Sequence, residues 1–279
     1  MAVNSPHTEE RPFVSHYILK SHTEEERERL DWQNQHLTQV LCDGQLIYVP
    51  KFSLDPGDEI LDSAAGTAKY LPPHSFSYWY RYQSTSLPHP IPQNVTFAVH
   101  TVTNLPESWS SKFSLVNQRL IFGALTHEQW GMALSELYRI LKPGGWIQLL
   151  ESGPETSISS GSMKRYADAF ATAFVNSGLV LNLTETLGQR LEHAGFVNIQ
   201  KRTTALPRLD SQDVDFEFKG QKRLIMASIP TLKPAFLATG MFESEDEIDA
   251  LHKGIDEEWN APSQFRWHYT VAYAQKPDI

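Results

Sequence analysis

Apolar residues follow a helical spacing in some parts of the chain and form short continuous runs in others. Between residues 130 and 141 they recur every three or four positions, directly after the capping-box sequence Thr126-His-Glu-Gln129. The sequence Lys142-Pro-Gly-Gly145 is predicted to end this helix, and the apolar run at 146–150 predicts a buried strand that ends at Glu151. A helix, a break and a buried strand in this order indicate a β-α-β crossover in a parallel sheet.

The remaining elements are predicted in the same way. An N-terminal helix has Thr23 and Glu26 in capping-box spacing and ends at Gly44. Further helices are predicted at 163–175, 183–194, 214–229 and 244–259, and strands at 59–62, 76–82, 94–100, 113–118, 196–202 and 265–274. This order predicts an α/β fold whose sheet carries helices on both faces.

Composition narrows the class of protein. With 279 residues, 41% apolar and 20% charged, the chain is typical of a soluble globular protein that is long enough for a large core. A formal net charge of −9 argues against nucleic acid as the main partner, because binding phosphates needs a basic surface. Cys42 is the single cysteine and the eleven histidines show no metal-ligand spacing, so we predict neither a disulfide nor a metal site. No secretory leader and no membrane-spanning run is visible, and we expect a cytoplasmic location.

The stretch Glu59-Ile-Leu-Asp-Ser-Ala-Ala-Gly-Thr-Ala-Lys69 joins a predicted strand to a run of small residues. Small residues after a strand let the backbone approach a ligand, whose polar atoms the backbone N–H groups can bind. The pattern matches an acidic mononucleotide-binding turn in which Ala64 and Ala68 replace two glycines. A structural turn that needs small residues for packing explains the same pattern, so both interpretations stay open at this point.

Four segments of the chain occur in the order and spacing of a known family. They are Ile60-Leu-Asp-Ser-Ala-Ala-Gly66, Phe113-Ser-Leu-Val-Asn-Gln-Arg-Leu120, Leu137-Tyr-Arg-Ile-Leu-Lys-Pro-Gly-Gly145 and Ala194-Gly-Phe196. The third resembles the "R-x-L-K-P-G-G" segment of class I S-adenosylmethionine-dependent methyltransferases, and the others resemble the first motif, "F-D-L-V-x-x-R-L" and "A-G-F" of the same family. The likeness covers about residues 20 to 275 and is greatest to the ubiquinone-biosynthesis type and its fungal secondary-metabolism relatives.

The resemblance implies a fold, a cofactor and a reaction. The fold is a doubly wound, mostly parallel sheet of the seven-stranded type. It forms a single domain at 21–279, with a helical cap at 21–50 and lid helices at 203–260, after a flexible arm at 1–20. The cofactor is S-adenosyl-L-methionine, and the reaction transfers its methyl group to a small, apolar secondary metabolite.

The same resemblance implies a set of binding residues at the ends of the strands. Those around the methionine and ribose are Asp62, Ser63, Ala64, Ala65, Gly66 and Thr67, the one beside the adenine is Thr101, and those below the methyl group are Asn117, Gln118 and Arg119. Tyr17, Arg29 and the segment 153–163 are implied to cover the substrate.

Methyl transfer to a hydroxyl group also needs a base that takes the proton. Glu151 and His127 are the nearest candidates by motif. Glu151 follows a strand at the edge where such sheets bind ligands, and His127 lies in the first turn of a capped helix. A structural glutamate and a solvent-facing histidine are the alternatives.

The chain departs from the family pattern at the second strand. The family has an acidic residue there that holds the ribose hydroxyls, whereas Tyr80-Arg-Tyr-Gln-Ser-Thr85 contains no carboxylate. Loss of a charged acceptor typically weakens binding by about ten- to a hundredfold. Two alternatives therefore stand beside methyl transfer. One is a methyltransferase-like fold that has lost the cofactor and binds or cyclises a biosynthetic intermediate, and the other is an interaction subunit.

Overall fold

The computed structural model contains one sheet and the helices that pack on it. It describes residues 24–50, 52–53, 55–63, 76–80, 94–98, 100–153, 160–259 and 266–279. The predicted arm at 1–20, including Tyr17, and the predicted cofactor-binding residues 64–67 lie outside the described residues.

The elements alternate along the chain as an α/β fold requires. The strands are β1 (Glu59–Ser63), β2 (Phe76–Tyr80), β3 (Val95–Ala98), β4 (Phe113–Arg119), β5 (Leu141–Gly153), β6 (Val197–Leu206) and β7 (Trp267–Gln275). The α-helices are α1 (Glu24–Leu41), α2 (His127–Ile140), α3 (Gly161–Asn176), α4 (Leu183–His193), α5 (Val214–Leu237) and α6 (Glu245–Glu258). The α/β class predicted from the sequence is confirmed.

The strands lie side by side in the order β3-β2-β1-β4-β5-β7-β6. The pairings from β3 to β5 are parallel, and β7 runs antiparallel to both β5 and β6, so the sheet is mixed. The predicted crossover is confirmed, because β4 and β5 are parallel neighbours joined through α2. The carboxyl ends of β1, β4 and β5 therefore meet at one edge of the sheet.

Helix α2 and strand β5 follow each other without a loop. The helix has the predicted capping box: Gln129 N–H donates to the Thr126 hydroxyl (3.3 Å) and Thr126 N–H donates to the Gln129 side chain (3.0 Å). It ends at Ile140, and the strand begins at Leu141 rather than at residue 146, so the predicted strand is too short. Pairing with β4 at its start and with β7 through Gly153 gives the longer strand its hydrogen-bond partners.

Helix α5 also exceeds its predicted length. The sequence suggested an end at residue 229, whereas the helix continues through Pro230 and Pro234 to Leu237. Each proline removes one backbone hydrogen bond. The buried side chains of Leu232 and Phe236 continue the apolar face beyond the first proline, and packing of this face holds the helix together.

The core fills the space between the sheet and the helices. Its largest fully buried side chains include Trp130 of α2, Phe113 of β4, and Tyr166 and Phe174 of α3. In the described part of the chain, no helix combines the length and the apolar character that crossing a membrane requires.

Candidate functional site

Three polar side chains lie on one face of the sheet where β1, β4 and β5 adjoin. Asp62 pairs in register with Asn117, and Asn117 pairs with Gln148. Residues that are paired across neighbouring strands point to the same face. Gln148 Nε2 donates to Asn117 Oδ1 (2.9 Å), and Asn117 Nδ2 donates to Asp62 Oδ1 (3.3 Å). We call this chain of hydrogen bonds the Asp62 relay; it orients the Asn117 amide and ends on a carboxyl group.

The carboxyl group of Asp62 titrates close to neutral pH. Burial raises its pKa to about 7, while the positive charge of Arg119 and the hydrogen bond from Asn117 act in the opposite direction. The ionised form therefore becomes available near pH 7. An ionised carboxylate at this edge can bind a cationic group of a ligand.

Gln148 of β5 links the relay to the segment between α1 and β1 through two further hydrogen bonds. Its Oε1 accepts the N–H of Tyr48 (2.6 Å), and its Nε2 also donates to the carbonyl of Leu46 (2.8 Å). The side chain is only 1% exposed. Sequence reasoning missed this residue, because Gln148 lies inside an apolar strand and its partners are 31 to 102 positions away in the sequence. A polar residue in the middle of a buried strand was the available signal.

Arg119 is the last residue of β4, and its side chain joins this strand to helix α1. Its Nη1 donates to Asn34 (3.1 Å) and Thr38 (2.7 Å), and its Nη2 donates to the carbonyl of Leu46 (2.8 Å). Both terminal nitrogens of the guanidinium are thus bound to protein acceptors, whereas Nε is buried and has no partner among the described residues. The guanidinium remains close enough to Asp62 to favour that residue's ionised form.

The other predicted residues of the same strands point to the opposite face. Ser63 pairs in register with Gln118, and its hydroxyl donates to Gln118 Oε1 (3.2 Å). Glu151 lies on this face too, because it follows Leu149, the register partner of Gln118, by two positions. All three side chains are at most 1% exposed. The predicted set is therefore divided between two faces rather than gathered in one pocket floor.

Glu151 holds the turn that follows β4. Its Oε2 accepts the N–H of Phe122 (2.9 Å), and Leu120 in the same turn adopts a positive φ of 57°. Burial raises the pKa of Glu151 to about 8, against the opposing effect of the backbone N–H groups and the Gln118 amide. Within the described residues, Oε1 of Glu151 and Nε2 of Gln118 have no hydrogen-bond partner. The carboxyl group is neutral at pH 7 and fixes the loop below the carboxyl edge.

The remaining predicted residues occupy separate places. Thr101 closes a tight turn, in which its hydroxyl bonds that of Thr103 (2.7 Å). His127 is exposed, and its Nδ1 lies 3.0 Å from Arg190 of α4. No described contact joins either residue to the Asp62 relay. In the part of the chain that the structure describes, no cluster of three or more His, Cys, Asp or Glu side chains could hold a metal ion.

Comparison with solved structures shows the fold. The phosphoethanolamine N-methyltransferase 2 of Haemonchus contortus, in complex with S-adenosyl-L-methionine, matches 95% of this chain with a TM-score of 0.54 and 17% identity. The chain spans only 61% of that protein. The [4+2]-cyclase SpnF matches 87% of this chain and 80% of its own, with a TM-score of 0.51 and 18% identity.

Comparison of sequences gives the relationship. No protein-family model matches the chain. The N-methyltransferase tcpN of Claviceps purpurea is 25% identical over 273 residues, which cover 92% of this chain and 96% of that protein. The chain is similar in sequence to fungal methyltransferases. The resemblance to methyltransferases predicted from the sequence is confirmed.

Proposed function

We propose that the protein transfers a methyl group from S-adenosyl-L-methionine to a small, largely apolar metabolite. The observation that carries this proposal is the Asp62 relay at the carboxyl edge of β1 and β4. Open α/β sheets bind their ligands at this edge. The names of the fungal relatives support the reaction.

The residues of the relay fit the methionine end of this cofactor. Ionised Asp62 accepts hydrogen bonds from a cationic ammonium group, and Asn117 is held so that its amide cannot rotate away. When bound, the cofactor supplies an electrophilic methyl group. The protein contributes alignment of the acceptor atom with that methyl group and exclusion of water, and alignment alone can provide several kcal/mol. We propose that residues 64–67 complete the cofactor pocket. Ser63 and Gln118 on the opposite face, Thr101 in its turn and Arg119 in its bonds to α1 would then support this pocket from outside.

Glu151 is the better of the two proposed bases. Its pKa of about 8 makes the ionised form a stronger base than an ordinary glutamate, and that form becomes available as the pH approaches 8. It also lies near the carboxyl end of β5, whereas His127 is bonded to Arg190 on the surface. The name of tcpN, an N-methyltransferase, favours nitrogen as the methylated atom.

The finer architecture is part of the same proposal. We infer a doubly wound arrangement in a single domain at 21–279, with helices on both faces of the sheet. Helix α1 belongs to the proposed cap at 21–50, and it contacts α5 of the proposed lid at 203–260.

Calorimetry with S-adenosyl-L-methionine and S-adenosylhomocysteine tests the proposal directly. We expect both to bind with saturable heats, and mass spectrometry to detect a 14-Da increase in accepted amine substrates. Absence of binding heat at millimolar concentrations of both compounds would remove the methyltransferase assignment.

The Gln148→Leu variant tests the relay from its far end. Leucine removes the donor to Asn117 and leaves Asn117 free to turn, so we expect S-adenosylhomocysteine to bind about three- to tenfold more weakly. Isothermal titration calorimetry measures this change. Exposed Gln45 provides the matched control, and Gln45→Leu should leave the affinity as it is. Equal affinities for the two variants would show that the relay does not support the cofactor.

A second function has one observation in its favour. The stretch 80–85 lacks the carboxylate that normally holds the ribose, and the cyclase SpnF has the same fold. A scaffold that cyclises a biosynthetic intermediate is therefore the alternative, and it predicts product formation without transfer of a labelled methyl group.

A further inference from the structure

Leu120 follows the last residue of β4 and adopts a left-handed backbone conformation, with a φ of 57°. In the described chain, the other non-glycine residues with positive φ are Asp43, Ser111 and Asn198, which all have short polar side chains. A bulky apolar residue is rare in this region, because its Cβ atom approaches the following carbonyl oxygen. Such residues cluster at functional sites. Leu120 lies at the carboxyl edge of the sheet, beside the proposed cofactor site.

Hydrogen bonds on both sides hold Leu120 in this conformation. Its N–H donates to the carbonyl of Leu150 (2.8 Å), which extends the pairing of β4 with β5 by one residue. Beyond it, the N–H of Phe122 donates to Glu151 Oε2 (2.9 Å), and the N–H of Ile121 acts on the same carboxyl group. The chain therefore stays in contact with β5 while it leaves the sheet.

The left-handed residue explains why two successive N–H groups reach one carboxyl group. In an extended strand, successive N–H groups point to opposite sides, so they cannot share an acceptor. A left-handed residue in a turn brings successive N–H groups to one side, and they form a concave site that suits a negative charge. Glu151 of the neighbouring strand supplies the carboxyl group that this site holds.

The far end of the turn is anchored in the core. Phe122 is buried, and its ring stacks on Phe174 of α3 with centroids 5.6 Å apart. The N–H of Ala124 donates to the carbonyl of Ile121 (2.9 Å). Because both ends of the turn are fixed, a change of conformation at Leu120 must be taken up by the N–H groups between them.

One oxygen of the Glu151 carboxyl group stays available. Oε2 is bound in the turn, whereas Oε1 has no hydrogen-bond partner among the described residues. The groups that act on this carboxyl are uncharged: they are the two N–H groups and the Gln118 amide, and all three favour the ionised form. Since Oε2 accepts from the backbone, a proton on Glu151 is carried by Oε1.

We propose that Leu120 is a positioning residue for Glu151. Its left-handed conformation aims the N–H groups of Ile121 and Phe122 at Oε2, which fixes the orientation of the carboxyl group and leaves Oε1 to exchange the proton. This inference rests on the proposed function, in which Glu151 is the base that takes the proton of the methyl acceptor. It also gives the unfavourable conformation a role, because a residue with negative φ would not form the turn.

Substitutions at residue 120 test whether the backbone conformation or the apolar side chain matters. Leu120→Gly and Leu120→Asn remove the apolar side chain but accept a positive φ, whereas Leu120→Val stays apolar and disfavours it. NMR of protein labelled with ¹³C at the glutamate carboxyl groups measures the pKa of Glu151, whose signal is identified by its absence in Glu151→Gln. We expect the glycine and asparagine variants to keep the pKa of the natural protein, about 8.

Leu120→Val should raise the pKa of Glu151 above 8, with a proton affinity about tenfold higher, since it withdraws N–H groups that favour the ionised form. Equal pKa values in all variants, a lower pKa in Leu120→Val, or larger shifts with glycine and asparagine would overturn the positioning role. Circular dichroism checks that the valine variant folds. If it does not, the other two decide: an unchanged pKa in both supports the role, and a shift in either overturns it.

Ser111 provides the matched control. It is left-handed too, with a φ of 52°, and it precedes β4 at the opposite end of the strand. Ser111→Val introduces the same conflict with the backbone but should leave the pKa of Glu151 unchanged. An equal shift in this variant would assign the effect to the stability of β4 and overturn the role of Leu120. The titrations need no cofactor, so failure of S-adenosylhomocysteine to bind would overturn the proposed function separately.

Discussion

The Asp62→Asn variant should bind S-adenosyl-L-methionine about ten- to a hundredfold more weakly than the natural protein at pH 8. A hydrogen bond to a charged group contributes about 1.5–3 kcal/mol, and asparagine removes the charge while keeping the size of the side chain. The comparison is made by isothermal titration calorimetry with both S-adenosyl-L-methionine and S-adenosylhomocysteine.

The same variant should change how affinity depends on pH. The pKa of Asp62 is raised to about 7, so its carboxyl group is mostly protonated at pH 6 and mostly ionised at pH 8. A cationic ligand binds the ionised form, and its affinity should rise by up to about tenfold per pH unit below pH 7. Asparagine has no proton to lose in this range, so the rise should disappear in the Asp62→Asn variant.

Asp58 provides the matched control for Asp62. It precedes β1, at the opposite end of the strand, and accepts hydrogen bonds from Ser114 and Lys142. Asp58→Asn should leave cofactor affinity unchanged. If both variants lose affinity equally, the effect belongs to the stability of β1 and the proposed role of Asp62 is wrong.

The Glu151→Gln variant should unfold with a weaker dependence on pH. The pKa of this carboxyl group is about 8 in the folded protein and 4.5 for an ordinary glutamate. The folded state therefore holds a proton that the unfolded state releases. The stability from this proton is complete below about pH 4.5 and is lost as the pH rises through 8, by up to about 1.4 kcal/mol per unit.

Glutamine cannot ionise, so the Glu151→Gln variant lacks the pH-dependent stability that comes from the proton on Glu151. Urea unfolding at pH 5, 6, 7 and 8 should show a loss of stability for the natural protein that exceeds the loss for Glu151→Gln by a few kcal/mol at most. The exposed Glu128 of α2 serves as the control, and Glu128→Gln should behave like the natural protein.

Turnover by the same variant addresses the proposed catalytic role. A base at residue 151 predicts a fall in kcat with KM little changed, and loss of the rise in kcat that the natural protein should show as the pH increases through about 8. A purely structural Glu151 predicts that turnover follows the fraction of folded protein. In the urea series, the stability of the natural protein and that of Glu151→Gln could instead fall equally with rising pH. That result would contradict the raised pKa of Glu151.

The helices and strands were predicted well where the spacing of neighbouring residues determines where they begin and end. The capping box at Thr126 and the helix that ends at Ile140 follow from neighbouring residues alone. Strand β5 and helix α5 were predicted too short, because pairing with β7 and burial of Phe236 come from distant parts of the chain. The helix end expected before Pro230 and the strand start expected at residue 146 are both overridden by tertiary packing.

The site was predicted less completely for a related reason. Asp62 and Asn117 were named from motifs, and the structure joins them by a hydrogen bond. Their neighbours Ser63 and Gln118 were assigned to the same pocket, although alternation along a strand already sends them to the other face. Gln148 was missed because its partners are distant in the sequence.

Arg119 ties α1 to β4, and Arg202 of β6 adds a further hydrogen bond to the carbonyl of Leu41 at the end of the same helix. Lifting the helix would break the bonds of Arg119 to Asn34 and Thr38 at once and leave its guanidinium short of acceptors. Removing this one side chain would therefore loosen the helix at two positions that lie one turn apart, Asn34 and Thr38.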